Sequence, residues 1–167
     1  ANSYQVYWNT SPKAFCQKML QQYNVFWNDS RLAKAKALAL SKDQVIALAA
    51  IVQKETAMID ERPMVAGLYL NRLKKGMLLQ ADPTVIYAKK KAENNFNQVI
   101  KRVLFKDLKI SSEYNTYTTA GIPPGPITMP DVSAIDGVLN YQKHGFYFMV
   151  ADVTNFGYHK FAKTLSR

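Results

Sequence analysis

Cysteine is almost missing from this chain: its one copy, Cys16, can form no disulfide within the molecule. With only two histidines, His144 and His159, there is no Cys/His cluster for a structural zinc site. Metal catalysis and histidine-activated nucleophiles are therefore weakly supported, and neither a metal nor a cofactor is expected. Carboxylate chemistry is the economical choice that is left. No run approaches the roughly 20 apolar residues needed to cross a bilayer, and the first residues do not read as a secretory signal. The chain reads as soluble, with an anchoring or targeting segment ahead of Ala1 left open. Acids are scarce relative to bases, 12 against 22, for a formal net charge of +10. Such an excess suits a polyanion: nucleic acid, anionic lipid, or a polymer carrying carboxylates. Scattered charge kept for solubility is the plainer alternative. The basic runs at Lys89, Lys90 and Lys91 and at Lys101, Arg102 and Lys106 come with no nucleic-acid fold signature.

What is present is enough for one domain of 167 residues, a size that buries about two thirds of its unfolded surface. Residues 4–8 alternate aromatic or branched with polar side chains and predict a short strand. Ser11 followed by Pro12 predicts a helix start. Apolar spacing through Phe15, Met19, Tyr23 and Phe26, then Leu32, Ala35 and Leu38, makes residues 12–40 one long helix or two joined near Asn28 to Ser30, with the aromatics in the core. Ser41 and Gln44 have capping-box spacing. A further helix is expected from Pro63 to a C-cap at Gly76, and another from Pro83, capped by Asp82. Residues 89–110 read as a helical excursion. Residues 121–130, rich in Pro and Gly, make a stiff loop. A helix over residues 131–139 and two strands, 146–151 and 158–161, joined by a turn at 155–157, complete the pattern. The fold class is α+β, predominantly helical with a small β-sheet, without internal repeats.

Glu55 is the residue in this pattern that chemistry explains better than folding does. On a helix of 3.6 residues per turn from Asp43 to Ile59, it falls within roughly 20° of Leu48 and roughly 40° of Ile51 and Ile59. The opposite stripe is Asp43, Ala47, Ala50 and Lys54. Apolar surroundings disfavour the charged carboxylate, so its pKa is expected above the reference of about 4.3, where it can serve as a general acid. The alternative is a carboxylate at the rim of a helix contact, paired with a Lys or Arg.

Three segments carry more polar side chains than a fold requires: residues 52–56 (VQKET), 79–84 (LQADPT), and 114–117 (YNTY) leading into GIPPGP. Stiff loops bearing amides, hydroxyls and tyrosines resemble the lining of a carbohydrate cleft, where rings stack on sugar faces. Gln80, Asn115 and Thr116 are the candidates for polar contacts, with Asp82 and Thr84 on the same segments, and Tyr87, Tyr114 and Tyr117 for stacking or walls. Tyr87 has core packing as its alternative. Asp82 or Glu61 are the only nearby candidates for a second carboxylate. Arg72, next to Asn71, is placed to pair with Glu55 or Glu61.

From Leu48 the run AAIVQKETAMIDERPMVAGLYLNRLKKGMLLQADPTVIYA, then YNTYTTAGIPPGPITMP and FYFMVADVTNFGYHKFAKTL, closely resembles the YceG-like endolytic murein transglycosylases of bacterial envelopes. The resemblance is densest over residues 48–87 and 114–130 and carries nothing onto 89–110. It implies that Glu55, the Glu of KET, is the essential catalytic residue. It also implies a peptidoglycan glycan strand as substrate, cleavage of the MurNAc-β-1,4-GlcNAc bond to 1,6-anhydro ends, and a role in ending strand elongation, with peptidoglycan synthases as partners. A muramidase-type hydrolase or a non-catalytic peptidoglycan-binding module is the alternative. Residues 1–10 are then a junction to an N-terminal LysM-like part and 11–167 the catalytic domain. The expected location is periplasmic, on the outer face of the inner membrane, through a single-pass anchor ahead of this sequence.

Overall fold

A computed structural model describes residues 3–165. Among them are six α-helices and one antiparallel two-stranded sheet. Helix α1 (Pro12–Phe26) starts where the Ser11 hydroxyl accepts the Ala14 N–H, and α2 (Asp29–Ala37) where Asn28 accepts that of Arg31. Ala39 at φ 55° closes α2, with Leu40 N–H donating back to the Ala35 carbonyl. Next, α3 (Lys42–Glu55) opens with the complete Ser41/Gln44 capping box. Arg62–Lys74 forms α4, whose chain turns at Gly76, φ 68°, and sends the Met77 N–H to the Arg72 carbonyl. Then follow α5 (Asp82–Ala92), α6 (Val132–Leu139), β1 (Phe148–Ala151) and β2 (His159–Ala162). The strands pair from Phe148 with Ala162 to Ala151 with His159.

Helix α3 is the axis of the molecule. Val45, Ala47, Leu48, Ala49, Ala50, Ile51 and Val52 are all buried, so it is covered on every side, by α2, α4, α5 and α6. Three alanines let those neighbours come close. Bidentate bonds from Arg31 to Asp136, both 3.0 Å, fasten α2 to α6.

Five expectations change. The stripe of Ala47 and Ala50, assigned to the outside, is core, because α3 has no solvent face over that stretch. The helix also stops at Glu55, so Ile59 does not share its face and stands 63% exposed. Residues 4–8 form no strand, since no second strand lies beside them to complete a ladder. Helix α1 buries no residue fully; Phe26 packs against the core from its edge, while Met19 and Tyr23 border with it an apolar groove shared with Ile46 and Met129. Residues 89–110 are helical only to Ala92, because Asn94 turns to φ 47° and breaks the hydrogen-bond ladder, leaving irregular chain and a 3-10 turn at Asp107–Lys109. No helix among the described residues is long and apolar enough to cross a membrane.

Candidate active site

A cavity of about 370 Å³ opens between the end of α3, the polar face of α4, the 79–82 connector and the β-ribbon. Glu55 lies on its wall as the last residue of α3. That position follows from the chain: Thr56 turns extended and is buried, so the helix must end one residue after Lys54. Burial pushes the Glu55 carboxyl up to about 7. A hydrogen bond from the Tyr69 hydroxyl opposes this, the Asp82 charge reinforces it, and His159 and Arg72 pull the other way. The carbonyl end of the α3 dipole also disfavours a carboxylate there. Glu55 thus holds its proton more tightly than an ordinary carboxyl while still facing open space.

Tyr69 and Arg72 occupy one face of α4, three residues apart. Tyr69 is buried, and burial together with the neighbouring Glu55 charge holds its hydroxyl well above the usual tyrosine range, so it acts as a donor. Arg72 was expected to pair with Glu55 or Glu61, but it forms an ion pair with neither. Its guanidinium donates to the carbonyls of Tyr147 (2.7 Å), Leu78 (3.1 Å) and Leu79 (2.9 Å) and to Gln80 Oε1 (3.2 Å). One cation therefore fastens the connector and the start of β1 to α4. Glu61 is equally committed: it accepts the His159 N–H at 2.6 Å and meets His159 Nδ1 at 2.9 Å, which seats β2. Glu61 does not line the cavity, whereas His159 does.

Gln80, Asp82 and Tyr117 reach the cavity as expected. Gln80 has φ 52°, a conformation non-glycine residues rarely take, and its N–H bonds the Thr116 carbonyl. Asp82 does not cap α5; its carboxylate accepts the Tyr117 hydroxyl at 2.6 Å. Burial and that bond raise the Tyr117 hydroxyl's pKa.

Thr84, Asn115 and Thr116 are buried at 1% exposure or less and stand behind the wall rather than on it. Their polarity is satisfied internally. Thr116 Oγ1 accepts the Ala81 N–H (3.0 Å) and meets Thr84 Oγ1 (2.8 Å), which donates to the Ala81 carbonyl (2.7 Å). Asn115 donates to the carbonyls of Leu108 and Ile110. Thr84 and Thr116 fix the connector that carries Gln80 and Asp82, while Asn115 ties the 108–110 turn to the 114–117 segment. Thr116→Val leaves the Ala81 N–H buried without a partner and should cost about 1–3 kcal/mol, read as a lower urea midpoint at unchanged slope. The rings of Tyr87 and Tyr114 pack tilted against each other, centroids 4.7 Å apart, and do not line the Glu55 cavity. Tyr87 faces a separate hollow with Lys54, Lys90 and Phe96.

Tyr69 and His159 are the site residues that sequence reasoning missed. Tyr69 was legible as the partner of Arg72 on one helical face; His159 had no signal beyond being one of two histidines. No group of three or more His, Cys, Asp or Glu that could hold a metal occurs among the described residues.

The pattern of the YceG-like family matches residues 1–167. An endolytic murein transglycosylase of Bacillus subtilis is 33% identical over 143 residues, 86% of this chain and 38% of the relative. One from Streptococcus pneumoniae is 34% identical over 119 residues, 71% of this chain and 21% of the relative. The chain thus spans well under half the length of either. A crystal structure of a YceG-like protein from Listeria monocytogenes superposes with a TM-score of 0.75 at 28% identity, over 98% of this chain and 49% of that one.

Proposed function

Because the chain belongs to the YceG-like family, we propose that its cavity cuts peptidoglycan glycan strands internally, as a lytic transglycosylase with Glu55 as the only proton carrier. The observation that carries this is a carboxyl raised to about 7 on the wall of an open cavity. The protonated Glu55 gives its proton to the glycosidic oxygen as the bond from MurNAc C1 to GlcNAc O4 breaks, and O4 leaves as a hydroxyl. Glu55, now a carboxylate, removes the proton of the MurNAc C6 hydroxyl as that oxygen bonds to C1, giving the 1,6-anhydro ring. The substrate's own acetamido oxygen relieves the positive charge on C1. No water enters, and the acid ends in its starting protonation state.

Tyr69 holds the carboxyl in place. Arg72, through Gln80, holds the wall opposite, and its own charge favours the carboxylate formed at mid-reaction. Murein lies outside the cytoplasmic membrane, so the proposal carries an extracytoplasmic location with it, and internal cutting would end a growing strand. The basic surface suits the carboxylates of such a strand.

Asp82 on the same cavity favours a second mechanism, hydrolysis with two carboxylates. Mass spectrometry of digested strands separates them: anhydro ends are expected, while reducing ends that have taken up solvent oxygen would replace transglycosylation by a muramidase. Asp82→Asn losing as much cleavage as Glu55→Gln would point the same way. A protein that binds strands and leaves them intact would be a binding module. The pH profile gives a further check. Only the protonated acid starts the reaction, so kcat/KM should fall roughly tenfold per unit above a limb near pH 7. A limb near 4 would remove Glu55 from the role.

A further inference from the structure

Asp82 and Tyr117 line not only the Glu55 cavity but also a second hollow of about 230 Å³, whose other walls are Arg102, Val103, Leu104, Phe105 and Leu108. The hydrogen-bonded Asp82–Tyr117 pair is the partition between the two spaces. Sequence resemblance assigned nothing to residues 102–108.

The segment is irregular but firmly held. Asp107 is buried, accepts the Leu104 N–H at 3.0 Å and pairs with Lys89 at 3.0 Å. Asn115 donates to the Leu108 carbonyl on the far side of that turn. On this fixed base Leu104 and Phe105 are turned outward, Phe105 at 90% exposure. Arg102 is also exposed and makes no ion pair among the described residues. An anchored loop thus presents apolar surface and an uncommitted cation at the edge of the cavity.

We propose that this hollow is a subsite for the acidic stem peptide hanging from a muramoyl residue of the strand, an inference that rests on the function proposed above. Its chemistry suits a peptide better than another sugar. A sugar carries hydroxyls on most of its carbons, and this wall offers only Asp82, Tyr117 and Arg102 to meet them, with Asp82 and Tyr117 already bonded to each other. The aliphatic surface of Val103, Leu104 and Leu108 and the face of Phe105 match alanine methyl groups, and Arg102 matches a peptide carboxylate through a two-pronged bond. Reach is adequate: a peptide of three or four residues extends about 10 Å or more, and the two hollows share a wall. The subsite would select strand regions still bearing peptides.

The test compares peptide-bearing glycan strands with the same strands stripped by an amidase, using the wild type, Arg102→Gln and Phe105→Ser; both side chains are exposed, so the fold is not at risk. The wild type should prefer peptide-bearing strands by about tenfold in kcat/KM, the scale of one charge-assisted bond. Both variants should lose most of that preference through KM. A synthetic L-Ala-γ-D-Glu-L-Lys-D-Ala peptide, titrated into labelled protein by NMR, should shift the amides of residues 102–108. Equal wild-type rates on the two substrates, variants that keep the preference, or no shift at 102–108 overturn the subsite. If the wild type cuts neither substrate, the cleavage proposal falls instead, and the titration decides the subsite alone: shifts at 102–108 uphold it and their absence overturns it.

Discussion

Glu55→Gln should yield a folded protein whose strand cleavage is slower by about 10²–10⁴-fold. The amide keeps the shape of the side chain but can neither give nor retake the proton. The same variant has a thermodynamic signature that does not depend on substrate. In the folded protein the carboxyl binds its proton up to about pH 7, against an ordinary value of 4.5. Below about 4.5 the carboxyl is neutral both folded and unfolded, and its burial carries no charge penalty. As pH rises through the folded value, the unfolded chain ionises freely while the folded one resists, so stability is lost across that window. The full difference corresponds to about 3 kcal/mol. Urea titrations of wild type and Glu55→Gln should therefore diverge between about pH 4.5 and pH 7 and run parallel above it, with the variant the more stable at pH 8. Equal stability at pH 4 and pH 8 would show a carboxylate at ease in solvent, and the proposed acid would have no basis.

The second large effect is expected at Gly67, in the middle of α4. A Cβ there would overlap the Gln142 carbonyl oxygen and come within 2.7 Å of His144 Nε2. Ala in place of Gly inside a helix ordinarily gains up to about 1 kcal/mol. Here the neighbour is backbone, itself held by Gln142 N–H bonding the Pro63 carbonyl and by His144 Nε2 against the Met64 carbonyl at 2.9 Å. Overpacking against such a neighbour costs about 1–3 kcal/mol or more, so the sign should reverse and Gly67→Ala should destabilise. The displaced linker also carries the Tyr147 carbonyl that Arg72 grips. Cleavage should fall with stability, read as a lower thermal midpoint together with a raised KM. A variant as stable and active as the wild type would mean that the linker does not depend on this close approach.

Two helix starts were readable because caps are local chemistry: Ser11 and Ser41 each bond an N–H three residues on, whereas Asn28 was only one residue of a possible joint and Asp82, read as a cap, is drawn to Tyr117 instead. Glu55 was readable for a reason that proved only half right. The projected apolar stripe was extended to Ile59, beyond the end of α3, and it took Ala47 and Ala50 for surface. Periodicity has no face to report in a helix buried on all sides. The polar residues of the 114–117 segment were readable as unusual but not as internal: Asn115 and Thr116 look like ligand contacts until the backbone groups they satisfy are known. Long-range placement was beyond sequence. Nothing local joins Glu61 to His159 or Arg72 to Tyr147, and those pairs decide where the ribbon sits.

Those same pairs fasten the ribbon near both ends of one helix, Asn71 and Arg72 at one end and Asp60 and Glu61 at the other, through Phe146, Tyr147, Tyr158 and His159. Pinned near both abutments, this bank is held against α4 among the described residues. Little ordering is then owed by this wall on encounter, and capture of the proposed glycan strand should follow diffusion and the pull of +10 on its carboxylates, slowing as salt is added.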